Sequence, residues 1–402
     1  MLSRRALLLG SAAAIVAVTA RIFWQAIDRY IVSDPTQFVR SLWTGAVDHC
    51  SVTASVVTSG VVAPMRLVAA TTPDFIDPRY SKVILPDPEY FCCRGSIEAL
   101  SPATAYYLGV ELHGRIDDSK VGRFRTAAAG AHSFRFAAAS CATTGSNATV
   151  FDNITTADPD FFVHLGDMHY EDIDEDDEAL FHEAYNEVFD ARRQNRCWRE
   201  IPMYYIWDDH DFIKKNDDRQ SVSGCEAAVA AYRRRVPSPP LATKGACDPV
   251  HYAFVRGRVR FVISDLRSAR TPSKQPDDER KSMLGGAQLA WLSRQFADAR
   301  AAGEAVIWAS TVPWIAGCSE SKDSWGDSAL KGPESWRCCG KRECSTPLRS
   351  YRGTCTRLPS TTAPIRPERC PSCKQRRSTK KTPRRAVRTR SGPLPPRNHS
   401  TG

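Results

Sequence analysis

The chain has 402 residues, 42% apolar and 25% charged, which is ordinary globular composition and excludes a mini-protein scaffold. Its 55 Lys plus Arg against 45 Asp plus Glu give a net charge of +10, at face value a sign of an acidic partner. The charge is uneven, however: residues 327–402 hold 19 basic and 4 acidic side chains, net +15, leaving 36 against 41, net −5, in residues 1–326. The basicity belongs to the last fifth of the chain. At about 100–200 residues per domain, two or three units are expected.

Residues 1–30 read as an export signal. Ser3-Arg4-Arg5-Ala6-Leu7-Leu8 opens an uncharged run from Ala6 to Ala20, with small residues at Thr19-Ala20. A bilayer span needs about 20 apolar residues, more than this run supplies, so no stable transmembrane span is expected. The paired arginines resemble a twin-arginine signal, which makes the translocation machinery a partner and implies a periplasmic, extracellular or cell-envelope destination. The alternative is an uncleaved anchor, since Ile22-Phe23-Trp24 follows Arg21. Eight cysteines lie in residues 1–326. Outside the cytoplasm some could pair, with a connectivity that spacing does not reveal.

Residues 36–128 are strand-like. His49–Val57 and Ala105–Leu112 alternate and are rich in β-branched or aromatic residues, with turn material at Pro64, Pro86-Asp87-Pro88 and Asp117-Asp118 between them. A β-sandwich is expected. Leu100–Tyr107 followed by Gly122–Thr126 resembles the end of a fibronectin-type module, and the absence of an ionisable cluster suits a packing or docking role.

Residues 133–326 change texture. Strands are predicted at Ser133–Ala139, Asp160–Leu165, Ile201–Trp207, Arg258–Ser264 and Glu304–Thr311, and helices at Asp176–Gln194, Gly224–Arg235 and Gly286–Ala302. Strands alternating with helices imply an α/β sheet with covered faces, whose chemistry gathers in the loops beyond the strand ends.

Two of those strands run into acidic clusters, Leu165-Gly166-Asp167-Met168-His169-Tyr170 and Trp207-Asp208-Asp209-His210-Asp211. A carboxylate just past a strand end, with glycine permitting a close turn, can hold a hard cation at a fixed point. Two such loops side by side would place carboxylates to bridge two metals about 3.5–4 Å apart, a pair suited to ester hydrolysis. A neighbouring histidine could protonate a leaving alkoxide. Each piece also has a plainer reading: Gly-Asp as a turn or helix cap, Asp-Asp-His-Asp as a solvated loop, Tyr170 as a core aromatic, Cys141 as a small buried hydrophobe. The acidic run Glu171–Glu178 reads as a solvated loop and helix start.

Phe136–Trp325 resembles the catalytic domain of the PhoD-like alkaline phosphatases and phosphodiesterases, within the calcineurin-like metallophosphoesterase superfamily. The matching pieces are Ala139-Ser140-Cys141, His164-Leu165-Gly166-Asp167 with Tyr170, Ile206–Phe212, Phe261–Ser268, Leu284-Gly285 with Gln288 and Trp291-Leu292, and Ser310–Trp314. The resemblance implies an α/β fold: an N-terminal fibronectin/Ig-like β-sandwich, then an αββα metallophosphoesterase sandwich. It implies Asp167 bridging two metals, Cys141 and Tyr170 as ligands of Fe3+, Asp209 as ligand of a second ion, Ca2+, and His210 as the catalytic proton donor. An anionic phenolate and thiolate suit ferric iron better than calcium or magnesium. The implied reaction is hydrolysis of small phosphate mono- or diesters by metal-bound hydroxide attacking in line.

The family pattern stops at Asp323-Ser324-Trp325-Gly326. No Gly-Asp-x-His motif, which in the family completes the metal set, follows, and the one histidine beyond His251 is His399. The catalytic domain is therefore expected to be incomplete at its C-terminus, and the chain either an impaired enzyme or an inactive remnant or binding module. Residues 327–402 hold 10 Pro, six Cys and six Leu, Ile or Val, too little apolar material to offset chain entropy, so a disordered basic tail is expected. Its text resembles an out-of-frame continuation of the gene from near Gly326–Asp327. Cys370-Pro371-Ser372-Cys373 has no well-spaced second pair for zinc, and Arg376–Lys381 has no aromatic stacking platform, so no nucleic-acid partner is expected.

Overall fold

A computed structural model describes residues 37–213, 224–272, 275, 276, 278, 280–313, 323 and 325, together with the backbone of 348–352. The export signal, Cys318 and the Cys-x-x-Cys of the tail lie outside the described residues.

The chain begins with β1 (Val39–Gly45), β2 (Val52–Thr58), β3 (Met65–Ala70), β4 (Arg79–Tyr80), β5 (Cys92–Ile97), β6 (Ala105–Leu112), β7 (Arg115–Ile116) and β8 (Gly122–Arg125). They form two antiparallel sheets, β1-β2-β5 and β4-β3-β6-β7, with β8 also paired to β6. Alternate residues of both sheets meet in one core, Leu42, Val52, Ala54 and Val56 from the first and Leu67, Leu108 and Val110 from the second. The first sheet is covered on its other side as well. Trp43 of β1 leaves the sandwich core and packs among Tyr185, Phe189 and Tyr205, with ring centroids 6.5, 5.0 and 6.0 Å away.

The second region runs β9 (Phe136–Ala139), α1 (Val150–Ala157), β10 (Phe161–Leu165), α2 (Glu178–Asp190), α3 (Arg192–Glu200), β11 (Met203–Ile206), α4 (Asp209–Phe212), α5 (Cys225–Arg235), β12 (Tyr252–Arg256), β13 (Val259–Ile263), α6 (Gly285–Ala302) and β14 (Ala305–Ser310). Strands β11-β10-β9 form one parallel sheet. A second sheet, β12-β13-β14, continues into β15 (Leu348–Arg352), with β13, β14 and β15 parallel. The two sheets face each other. Phe261 and Ile263 of β13 and Ala309 of β14 join the core of the first sheet. Their neighbours Val262, Val306 and Trp308 point the other way, against Leu292 and Ala299 of α6. Aromatic rings tie the sheets: Phe161 lies 5.8 and 5.3 Å from Phe254 and Phe261, and Tyr204 stacks on Phe254 at 3.8 Å.

Two expectations change. The single helix foreseen over Asp176–Gln194 breaks at Ala191, whose ψ of 114° is extended. Asn195 donates its amide to the Phe189 carbonyl at 2.6 Å, satisfying a carbonyl at the end of α2, and the chain restarts as α3. The tail foreseen as structureless supplies β15, in register with Val306–Ser310 of β14. Among the described residues, no helix is long and apolar enough to cross a membrane.

A candidate metal centre at the strand ends

Five strands deliver the site. The turns beyond β9, β10, β11, β13 and β14 carry Cys141, Asp167, Asp208 to His210, Arg267 and Thr311 respectively, all at the C-terminal ends of parallel strands. The first two loops continue the pairing past the sheet: Cys141 N donates to Gly166 O at 3.1 Å and Ala142 N to Asp167 O at 3.0 Å. Gly166 is obligatory here. Its φ is +87°, and a Cβ built on it would lie 2.4 Å from the Cβ of Asp208. That close approach sets the Asp167 loop against the Asp208–Asp211 loop.

Asp167 is the hub. One carboxylate oxygen, Oδ2, is 3.4 Å from Cys141 Sγ and accepts from Tyr170 Oη at 3.1 Å. The other, Oδ1, is buried with no hydrogen-bond partner. Asp167, Asp209 and His210 offer ligand atoms that all lie within 4.8 Å of one another. The structure thus brings Cys141, Asp167, Tyr170, Asp209 and His210 into one cluster.

The electrostatics describe a pocket short of positive charge. Burial, helped by the charges of Asp211 and Asp209, pushes the Asp167 carboxyl up to about 6. Burial likewise pushes the Cys141 thiol up to about 11 and raises the Tyr170 phenol, the latter helped by Cys141 and Asp167. An orphaned carboxylate oxygen beside a thiol, a phenol and two further acids is a donor set that fits a multivalent cation, which would remove the penalty on all their anionic forms.

Supporting residues fix this geometry. Asp211 is a strut: it accepts from Met168 N at 2.9 Å, Tyr205 Oη at 2.7 Å and Asp208 N at 2.6 Å, which fastens the two acidic loops together. Asp208 faces away, towards Arg267. Arg267 is fully buried and reaches Asp208 at 2.5 Å, Asp209 at 3.5 Å and Asp323 at 2.9 Å, while Thr311 Oγ1 donates to Asp208 at 2.8 Å. Although burial works to raise it, Asp323 is held well below the usual carboxylate range by Arg267 and Arg270.

Sequence reading assigned no role to Asp172, Arg267 or Asp323. Asp172 belongs to the acidic run taken as solvated, yet its Oδ1 lies 2.8 Å from His210 Nδ1, and the His210 ring sits 4.2 Å from that of Tyr170. Nothing in its spacing marks it. Arg267 stands within the motif Phe261–Ser268 of the family resemblance and Asp323 at the point where the resemblance stops, which was the available signal, but their pairing across 56 residues is a property of the fold.

Residues 136–326 match the family model "PhoD-like phosphatase", and the match ends at the position where the sequence pattern stops. No curated protein matches. Among solved structures, the "Structure of PhoD" aligns over 80% of this chain and 72% of that chain with a TM-score of 0.69 at 18% identity, a likeness of fold. A purple acid phosphatase, PPD1 from yellow lupin (Lupinus luteus) seeds, aligns over 71% of this chain and 53% of that chain with a TM-score of 0.49 at 13% identity.

Proposed function

We propose that the chain, whose residues 136–326 are a PhoD-like phosphatase domain, is an exported phosphatase or phosphodiesterase that hydrolyses small phosphate esters at the Asp167 cluster. The observation that carries this reading is the Asp167 carboxylate: Oδ1 buried without a partner, and Oδ2 shared by Cys141 and Tyr170. In this reading Cys141 and Tyr170 with Asp167 would hold Fe3+, and Asp209 with Asp167 would hold Ca2+. Bound metal ions would supply Lewis acidity towards a phosphoryl oxygen. His210 is the proton donor. Asp172 accepts from Nδ1–H and orients the ring, and the proton for the leaving alkoxide would come from Nε2 of the doubly protonated imidazolium. The first two sheets act as a fibronectin/Ig-like packing domain, and the N-terminal segment engages the twin-arginine machinery.

One observation favours a second reading, a fold that binds metal poorly and turns over little or nothing: no Gly-Asp-x-His follows Gly326. One experiment separates them. The purified chain, supplied with iron and calcium, is assayed on p-nitrophenyl phosphate and bis-p-nitrophenyl phosphate beside Asp167→Ala. Turnover in the first and its loss in the second are expected. Failure of the unsubstituted chain to turn over either ester or to retain stoichiometric iron would leave the second reading standing.

A further inference from the structure

We propose that a cleft separate from the Asp167 cluster, between the β7–β8 loop and helix α3, binds an oligophosphate anion. Arg192, Arg196 and Arg199 recur at spacings of four and three residues, which aligns them along one face of α3. They line a cleft of about 450 Å³ together with Lys120 and with Arg40 of β1. Asp190 is the one acidic side chain in that lining among the described residues, and Arg40 grips both its oxygens at 2.9 and 2.5 Å. Arg196 is matched by Glu200 at 2.9 Å, and Glu200 also meets Arg123 at 3.1 Å. Lys120, Arg192 and Arg199 make no ion pair among the described residues, so the cleft keeps a positive excess.

One further observation shows that this excess lacks acceptors. Arg199 Nε is buried with no hydrogen-bond partner, and its Nη1 reaches only the neutral Asn195 Oδ1 at 3.0 Å. Helix α3 begins after Ala191, which provides no side-chain cap of its own; Asn147 Oδ1 accepts from Arg193 N at 2.9 Å, and the positive end of the helix dipole adds to Arg192. The cleft therefore offers donors and charge and lacks an anion. From Arg192 to Arg199 the helix rises about 10.5 Å, a span along which a chain of two or three phosphoryl groups can meet more of these side chains at once than a single phosphate. None of the lining residues belongs to the Asp167 cluster, so the inference does not depend on the phosphatase reading.

The test is calorimetric titration of the full chain with pyrophosphate and tripolyphosphate, in chelator so that no metal draws phosphate to Asp167. One-site binding is expected. It should weaken about tenfold or more in Arg192→Ala/Arg199→Ala and in Lys120→Ala, each removing charge-assisted contacts, and stay unchanged in Asp167→Asn. Tripolyphosphate should also raise the thermal midpoint of the unsubstituted chain and not of the double variant. Near-UV circular dichroism monitors folding, and if the double variant unfolds, Lys120→Ala on its loop decides. Absence of binding, survival of binding in both cleft variants, or loss confined to Asp167→Asn would overturn the proposal.

Discussion

At the scale of single residues, Arg267 controls how the second acidic loop is presented. It is buried among Asp208, Asp209 and Asp323, three carboxylates whose oxygens come within 4.8 Å of one another. Removing one partner of a buried ion network strands the others, at a cost of about 3–5 kcal/mol. Arg267→Met is therefore expected to lose stability of that order in urea unfolding, and Arg267→Lys, which keeps the charge without the fork, to lose less. The carboxylates that lose Arg267, of which Asp323 keeps Arg270, should then accept a cation, so calcium should raise the melting temperature of Arg267→Met by more than that of the unsubstituted chain. Equal calcium responses would show that Arg267 does not hold the place of a cation. The contrast with Asp167 and Asp209 explains what the sequence displayed. Those two follow their own strands within one turn, with Gly166 marking the close approach, so local spacing exposes them. Arg267 acts across loops that meet only when the two sheets are stacked, and Asp172 reaches His210 between the loops of two paired strands of one sheet; no local pattern records either meeting.

At the scale of elements, β1 belongs to two cores at once. Period-two alternation identifies two strands of the first region, His49–Val57 and Ala105–Leu112, which lie at β2 and β6, and the five strands foreseen in the second region lie within a few residues of β9, β10, β11, β13 and β14. Alternation does not say what covers the outer face. Here that cover is the helical side of the α/β region, and Trp43 crosses into it. The join is polar as well: Tyr204 Oη and Arg256 Nη2 both donate to Val47 O, at 2.8 and 2.7 Å, and Arg94 Nη1 donates to Arg233 O at 2.7 Å. A large aromatic truncated in a core costs about 3–5 kcal/mol. Trp43→Ala should lose that much in denaturant unfolding, and hydrogen exchange should quicken in α2, which holds Tyr185 and Phe189, as well as in β1 and β2. Faster exchange confined to the first two sheets would mean that Trp43 does not couple the regions. The break at Ala191 escaped the sequence for a similar reason. Asp176–Gln194 has helical composition throughout, and the stop is imposed by Asn195 and by the Arg40–Asp190 pair, contacts made after folding.

At the scale of the whole molecule, the net charge of +10 divides at Gly326 into an acidic body and a basic tail, so it does not describe residues 1–326. What does describe them is the titration of their buried groups. His164 and His182 are pushed down to about 3, and His169 to about 4, by burial, with Arg235 and Arg234 adding to the effect at His182. Each is neutral in the fold, while its unfolded form takes a proton near pH 6.5. Below pH 6.5 the unfolded chain binds more protons, so stability falls as pH falls, until the folded histidines titrate near pH 3–4. Each contributes a loss of about 2 kcal/mol by pH 5. Asp167, raised to about 6, works in the opposite sense. Its folded carboxyl takes a proton before its unfolded counterpart and offsets about 1 kcal/mol at pH 5 in the metal-free chain. Histidines outnumber it, and a domain is typically stable by only about 5–15 kcal/mol, so metal-free protein should lose a large part of its stability between pH 6.5 and 5. Urea unfolding at pH 7.0 and 5.0 measures this directly. The loss should be smaller in His182→Phe, which keeps a flat ring against Tyr90, 4.0 Å away in a parallel stack. It should be larger in Asp167→Asn, which removes the opposing group. A flat profile in the unsubstituted chain, or the same slope in all three proteins, would show that these buried groups do not set its acid sensitivity.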